Sequence, residues 1–545
     1  MQNKLKKELE KIVQKKFKLK IDVEVSQTEE KFGDYKSNIA FIIANKTGKD
    51  TQDIAEIIKE ELKGYRVDIL NGYINIWISE KDLISNLQKK QLIKKIKSKD
   101  NILIEYSSPN IAKPMNVSHL LSTIIGDSMF EIYKYIGFNI ESDNHIGDWG
   151  TQFGKLLYAI DKWGNLKKIQ ENPIDELLKL YIEFHKKEEK DKTLRDNAKK
   201  YFKLLSEKDP QITKIWEDCV GWSIKDFQRI YRILNINKFT YTIGESFFND
   251  LALDIIKKAI KDKIAIKENG GVVVYTNEND KPLVIQKSDK TTVYAIRDIA
   301  TIKYRQDTMK KNVIIYEIGS DQKQAINQMF EVAKLLNVVN KNTKLILISH
   351  GLLKLQKNQK MSTRTGTIIK AEDIINLSIE RTKSIMHKNG ITNNKSIEAI
   401  AIGAIKFNIL KRHYASDIIF NIDQMLQLQG NTSVYIQYTY VRCSSILKNK
   451  KLNFKNITFS NNDEIKIVRE LYKFQDTVYA SKLSPNILAE YLLKLSRTFN
   501  NFYEKHNILK EEENKKNSRL IITKKIHDVI KDGLNLLGIE TIKKM

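Results

Sequence analysis

The stretch IEYSSPNIAKPMNVSHLLSTIIG, residues 104–126, decides the fold. Ile102 to Tyr106 reads as a buried strand, Ser107-Ser108-Pro109-Asn110 as a turn, and residues 117–136 as a helix beginning near Asn116. Polar side chains then stand at the carboxyl end of a sheet strand, beside a helix N-terminus whose unpaired N–H groups and dipole attract phosphate. An ordinary strand–turn–helix corner, with Ser and Asn as turn and cap residues, fits the same letters.

Outward from this corner, strands and helices alternate, and Leu345 to Ser349 reads as another strand, so a parallel α/β sheet is expected. Residues from about 155 to 260 are mostly helical, an insertion or connecting bundle. Residues 1–88 read as a small α+β unit: a helix, a strand from Ile21 to Val25, helices from about Asn38 to Leu62, then two short strands. In the last of these Ile74, Ile76 and Ile78 alternate with polar or bulky neighbours, the period of a strand with one buried face. The Lys-rich residues 88–100 suggest a linker or surface helix. After about 395 the pattern is helical, interrupted by the polar patch at 449–463 and the EEENKKN run at 511–517. The expected organisation is an N-terminal α+β domain (1–88), an α/β Rossmann-type domain with a helical insertion (89–420) and an all-α C-terminal bundle (421–545).

At 545 residues the chain is long enough for about three or four domains. It carries 93 Lys and Arg against 67 Asp and Glu, a net +26, which points to a polyanionic partner. Only 13 of the basic residues are Arg and 80 are Lys, a bias that AT-rich coding also produces. Cys219 and Cys443 form neither a disulfide framework nor a zinc knuckle, so a reducing, cytoplasmic location is expected, with no bound zinc. No uncharged apolar run is long enough for a membrane span, and no signal-peptide core is seen.

A second segment, KMSTRTG at 360–366, follows the strand at 345–349. Lys360 and Arg364 flank two hydroxyls and a glycine, a cationic loop suited to charge on a transferring phosphate. With SSPNIAKPMNVSHL, NHIGDWGTQFG (144–154), FQRIY (227–231), GESFFND (244–250), YAIRDIA (294–300), GSDQ (319–322) and GNTSVYIQYTYVR (430–442), the chain resembles the arginyl-tRNA synthetases of the class I aminoacyl-tRNA synthetase group over nearly its whole length.

The resemblance implies a ligase that joins ATP and L-arginine into arginyl-adenylate, then passes the arginyl group to the terminal ribose of tRNA(Arg). It implies ATP with Mg2+ as substrate, no organic cofactor, a monomer, and adenylate formation that requires bound tRNA. The family's HIGH tetrapeptide reads Asn116-Val117-Ser118-His119 here, and Leu121 stands where Arg is usual. His119 and Asn116 lie one turn apart and are expected to face the nucleotide together. Ser118 adds a side chain where glycine lets adenine approach, so weaker ATP binding than in relatives is expected. Lys360, Met361, Ser362 and Thr363 match the KMSKS loop; Thr363 replaces its second lysine, and Lys113, just before the HIGH box, is the expected substitute.

For arginine, a guanidinium is a planar fork that a carboxylate accepts in paired hydrogen bonds. Tyr294 and Asp298, four apart on a helix, match the family's substrate Tyr and Asp; Gln322, Glu105, Ser108 and Asn110 match further pocket positions. Asp298 has neighbouring Arg297 and Arg305 as competing partners. His145 and Asp148 in NHIGDWG read as structural, beside a packed Trp149, with a tRNA-end contact as the other reading of His145. In the C-terminal bundle, matching the family's anticodon-binding domain, Tyr435, Tyr438, Arg442 and Tyr503 are candidates for stacking on bases or binding RNA backbone. A catalytically impaired tRNA-binding protein, and a synthetase for another amino acid, are the competing readings.

Overall fold

The computed structural model describes residues 1–276, 279–355, 369–388, 390–427 and 430–544, and the side chains of Asn279, Asp280 and Leu355 are not described. The KMSTRTG residues Lys360, Met361, Ser362 and Thr363 lie outside the described residues. The chain divides into two compact units, one of residues 96–426 and 536–539, the other of 1–95, 427–535 and 540–545.

The first unit is built on a five-stranded parallel sheet: β1 (Asn101–Glu105), β2 (Asn139–Ile146), β3 (Tyr241–Gly244), β4 (Val313–Gly319) and β5 (Lys344–His350). Their spatial order is β5-β4-β1-β2-β3, every neighbouring pair parallel. Buried along most of their length, β1 and β4 are apolar over 102–104 and 313–315, as parallel strands covered on both faces require, and carry Glu105 and Glu317 toward their carboxyl ends. From β1 the chain winds outward through β2 and β3, then returns to the other side of β1, which makes the β1/β4 junction a switch point where α/β sheets bind ligands. Register aligns the strand ends: Glu105 pairs with Asp143 on one side and Tyr316 on the other, and Gly319 pairs with His350.

Helix α1 (Val117–Ile136) follows β1 with the bounds expected from its apolar pattern. It lies close to the sheet because Gly126 faces Tyr106; a Cβ there would stand 2.2 Å from the tyrosine side chain. Five helices between Thr151 and Ile233 form the insertion between β2 and β3. Helix α2 (Tyr294–Asp307) precedes β4 and packs Ile296, Ile299 and Ile302 into the core with Ile314 and Tyr316.

In the second unit the strands Ser26–Gln27, Tyr35–Ser37, Tyr73–Trp77 and Arg66–Leu70 form an antiparallel sheet in that order. The expected strand from Ile21 to Val25 does not form. Val23 and Val25 are buried, so their alternation reported burial without pairing. The same unit contains α3 (Ser433–Leu447) and α4 (Asn486–Lys505). Buried Tyr35 donates to Asp476 Oδ2 at 2.7 Å, and Arg469 pairs with Asp34, so both ends of the sequence share this unit. The EEENKKN run is mostly helix, the final one starting at Glu513. The Glu511–Lys515 and Glu513–Lys516 pairs span 2.9 and 3.1 Å, the spacing by which opposite charges support a helical turn.

Candidate active site

The turn after β1 is strained. Ser107 and Ser108 both hold left-handed backbone, φ 72° and 42°, which costs non-glycine residues about 1–3 kcal/mol each. Surrounding hydrogen bonds impose it. Ser107 N–H donates to Ser122 Oγ at 2.9 Å and Ser108 N–H to Asn144 Oδ1 at 3.1 Å, while Ser107 Oγ lies 2.7 Å from both Tyr231 OH and Thr123 Oγ1. Pro109 and Ile111 are stitched to Gly147, whose missing side chain leaves room for Asn110: a Cβ there would meet Asn110 Oδ1 at 2.2 Å. The turn thereby fixes Ser108 and Asn110 beside β2, and buried Ser108 Oγ has no hydrogen-bond partner among the described residues.

Asn116 caps α1. Its Oδ1 accepts from His119 N–H at 3.0 Å, and its own N–H donates to His119 Nδ1 at 3.2 Å. The two expected nucleotide ligands thus hold each other in a reciprocal capping box. With Nδ1 accepting, His119 in its neutral form carries its proton on Nε2 as a donor. Burial, then His350 and Lys113, pull its pKa down to about 4, so it is a neutral donor at pH 7. Lys113 Nζ sits 4.2 Å from the centre of the Tyr181 ring, and burial lowers its pKa. The chain emerging at residue 369 is tied to the same corner: Val117 N–H donates to Ile369 O and Ala371 N–H to Met115 O, at 3.2 and 2.8 Å.

Across the strand ends lies a row of buried charges. Arg305 from α2 is fully buried and reaches Glu105 Oε2 at 2.5 Å and Asp143 Oδ2 at 2.6 Å. Arg297 turns instead to Glu245, 2.7 Å away. Neither arginine takes Asp298, whose carboxylate faces His145 Nε2 at 3.6 Å, an ion-pair distance too long for a hydrogen bond. Burial alone would lower the His145 pKa, but Asp298 and Glu105 outweigh it and raise it to about 9. Tyr294, at the start of α2, is 54% exposed, and Gln322, after β4, is also exposed. Asp148 accepts from the backbone N–H and hydroxyl of Ser246 at 2.8 and 2.7 Å, and Trp149 packs edge-on against Phe202 and Trp216.

The structure therefore gathers Glu105, Ser108, Asn110, Asn116, His119 and Asp298 around the carboxyl ends of β1 and β2, with Tyr294 and Gln322 exposed at the starts of neighbouring elements. It also brings in groups that sequence reasoning passed over, Asp143, Asn144, Glu317 and His350, and gives Arg305, expected only as a rival partner for Asp298, to Glu105 and Asp143. A signal existed for Arg305, seven residues after Asp298 on the same helix and so on its face. In the other unit, Arg442 lies over the rings of Tyr438 and Tyr503, 4.7 Å from each centre, and donates to Asn500 Oδ1 at 2.7 Å. Both tyrosines are 39% exposed; Tyr435, on the same helix, is half-buried.

A family model for the class I (R) tRNA synthetase catalytic domain matches residues 82–422, one for the DALR anticodon binding domain 436–545, and one for the arginyl-tRNA synthetase N-terminal domain 1–78. A Fusobacterium nucleatum protein named arginine–tRNA ligase is 34% identical over 543 aligned residues, covering 95% of this chain and 94% of its own. A Clostridium perfringens protein of the same name is 35% identical, covering 98% and 99%. Among solved structures, arginyl-tRNA synthetase from Plasmodium falciparum superposes with a TM-score of 0.86 at 28% identity, covering 100% of this chain and 99% of its own. The Thermus thermophilus arginyl-tRNA synthetase has the same fold, with a TM-score of 0.82 at 19% identity and full coverage of both chains.

Proposed function

The chain belongs to the arginyl-tRNA synthetase family, and from that membership we propose which residues carry the ligation of arginine to tRNA. The activity is ATP-dependent aminoacyl-tRNA ligation. An arginine carboxylate oxygen attacks the α-phosphorus of ATP and pyrophosphate leaves; a terminal ribose hydroxyl of tRNA(Arg) then attacks the carbonyl carbon and AMP leaves. Both steps develop charge that donors fixed beforehand stabilise best. The N–H groups at the start of α1, His119 Nε2–H and the Asn116 amide are the neutral donors for the phosphates. Lys113, Lys360 and the hydroxyls of Ser362 and Thr363 complete the set, with Met361 of the same sequence motif and Mg2+ arriving with ATP.

The observation that carries the arginine assignment is the freedom of Asp298 from both neighbouring arginines, which leaves its carboxylate to pair with a guanidinium. Tyr294 and Gln322 flank it, and Ser108 and Asn110 hold the amino-acid end. Glu105 acts differently from the sequence expectation: already paired with Arg305, it supplies pocket charge and anchors the floor. In the other unit the exposed Tyr438–Arg442–Tyr503 group, with Tyr435, takes RNA. A reducing cytoplasm is the proposed location, supported by the buried, unpaired thiols of Cys219 and Cys443, and a monomer the working form, supported by one chain supplying every proposed ligand.

Arginine-dependent ATP–pyrophosphate exchange, with and without tRNA(Arg), tests the reading. Exchange that appears or rises with tRNA is expected. Absence of exchange in both conditions, with tRNA binding intact, overturns it in favour of a tRNA-binding protein without ligase activity.

A further inference from the structure

Ser118, in the first turn of α1, faces the end of β5. Its Oγ lies 3.3 Å from His350 Nε2, and His350 Nδ1 lies 2.7 Å from Glu317 Oε1 on β4. Histidine and carboxylate are buried, whereas Ser118 is partly exposed. Gly319, closing β4, has no side chain to cover the hydroxyl; a Cβ there would come within 3.4 Å of Ser118 Oγ.

An ionised Glu317 only accepts hydrogen bonds, so His350 Nδ1 carries a proton. The second ring nitrogen then sets the polarity of the serine. If Nε2 is also protonated, it donates to Ser118 Oγ, and the serine hydrogen turns away from the histidine, outward over the start of α1. If Nε2 is bare, Ser118 spends its hydrogen on the ring and offers only lone pairs. Among the described residues, the groups facing the ring are Glu317 on β4, Asp321 in the turn after it, and Ser118 and His119 on α1. His119 is neutral, so the net field is acidic. Burial alone lowers the His350 pKa, but Glu317 and then Asp321 outweigh it and hold the ring toward its charged form.

We propose that Ser118 is a specificity-determining residue for the nucleotide, donating its hydroxyl hydrogen to an acceptor on the nucleoside half of ATP, and that His350 and Glu317 are positioning residues that keep it a donor. The proposal rests on the ligase reading above, which places ATP at the start of α1. The phosphates already have the helix N–H groups and His119; the nucleoside offers ring nitrogens or ribose oxygens as acceptors. The role is opposite to the expectation from the tetrapeptide alone, in which Ser118 merely obstructs the base.

The test uses the full chain with tRNA(Arg), reading the ATP and arginine KM by pyrophosphate exchange from pH 5.5 to 9. Ser118→Ala and Ser118→Gly should each raise the ATP KM about fivefold, the worth of one neutral hydrogen bond, and leave the arginine KM and melting temperature unchanged. Glu317→Gln keeps an acceptor for Nδ1 but removes the charge. It should raise the ATP KM to the same degree at pH 7.5, recover toward wild type below pH 6, and add nothing to Ser118→Ala. In labelled protein, the His350 imidazole resonance should titrate at a lower pH in Glu317→Gln than in wild type. Parallel measurements with 2′-deoxy-, 3′-deoxy-, 1-deaza-, 3-deaza- and 7-deaza-ATP identify the acceptor, since the Ser118→Ala penalty vanishes with the analogue lacking it. A Ser118→Gly variant with lower ATP KM, a penalty retained with every analogue, or a wild-type pH profile in Glu317→Gln overturns the proposal. Each of these is read on an enzyme that still exchanges; loss of wild-type exchange at every pH instead refutes the ligase reading.

Discussion

Asp298 and His145 show how much a single side chain decides here. Asp298→Asn keeps the shape and removes the charge that a guanidinium needs, a loss of about 2–3 kcal/mol for a charge-assisted pair. The expected result is an arginine KM raised roughly a hundredfold with the ATP KM near wild type, measured by exchange in the presence of tRNA. The facing His145 makes a pH prediction. Its folded pKa of about 9 lies above the ordinary 6.5, so its contribution to stability is complete below pH 6.5 and is lost as the pH rises through 9. Thermal melts from pH 6 to 9.5 should fall more steeply for wild type than for His145→Asn; parallel curves would show that the ring carries no such linkage. That Asp298 shares a helix face with Tyr294 was legible from their spacing, while the arginine role proposed for both rests on the family resemblance. The capture of Glu105 by Arg305 was not legible, because only sheet register and a helix from two hundred residues later bring them together.

At the level of elements, the apolar patterns located helix and sheet well: residues 117–136 are a helix with those bounds, and 345–349 lie within a parallel strand. The patterns failed where burial and pairing part company. Val23 and Val25 alternate like a strand but find no ladder, and the charged run at 511–517 is helix from Glu513 onward, with ion pairs across its first turn. The element interaction most exposed to test is the clamp of α2 on the ends of β1 and β2. Arg305→Met leaves Glu105 and Asp143 buried without their cation, and such uncompensated charge costs about 3–5 kcal/mol. Urea denaturation should show a loss of that size, whereas a loss below about 1 kcal/mol, ordinary for an exposed pair, would mean that water reaches the carboxylates.

For the whole molecule, the excess charge of +26 suggested a polyanion but gave no address; the exposed Tyr438–Arg442–Tyr503 group is the one proposed above. Arg442→Ala should weaken tRNA binding, and if the guanidinium meets a phosphate it should lower the slope of log affinity against log salt by about one. Filter binding across salt concentrations measures both, and direct ATP binding should not change. The interleaved unit has a consequence in time. Asp34 meets Arg469 across 435 residues of sequence, and synthesis at about 5–20 residues per second separates their appearance by roughly 20–90 s. During that interval the first hundred residues wait at the ribosome without the helices they pack on, while the sheet of the other unit, whose last strand ends at His350, is already assembling. Residues 1–95 thus stay without their full core until the helices after residue 427 have been made, and their uncovered apolar face is expected to engage chaperones during that interval.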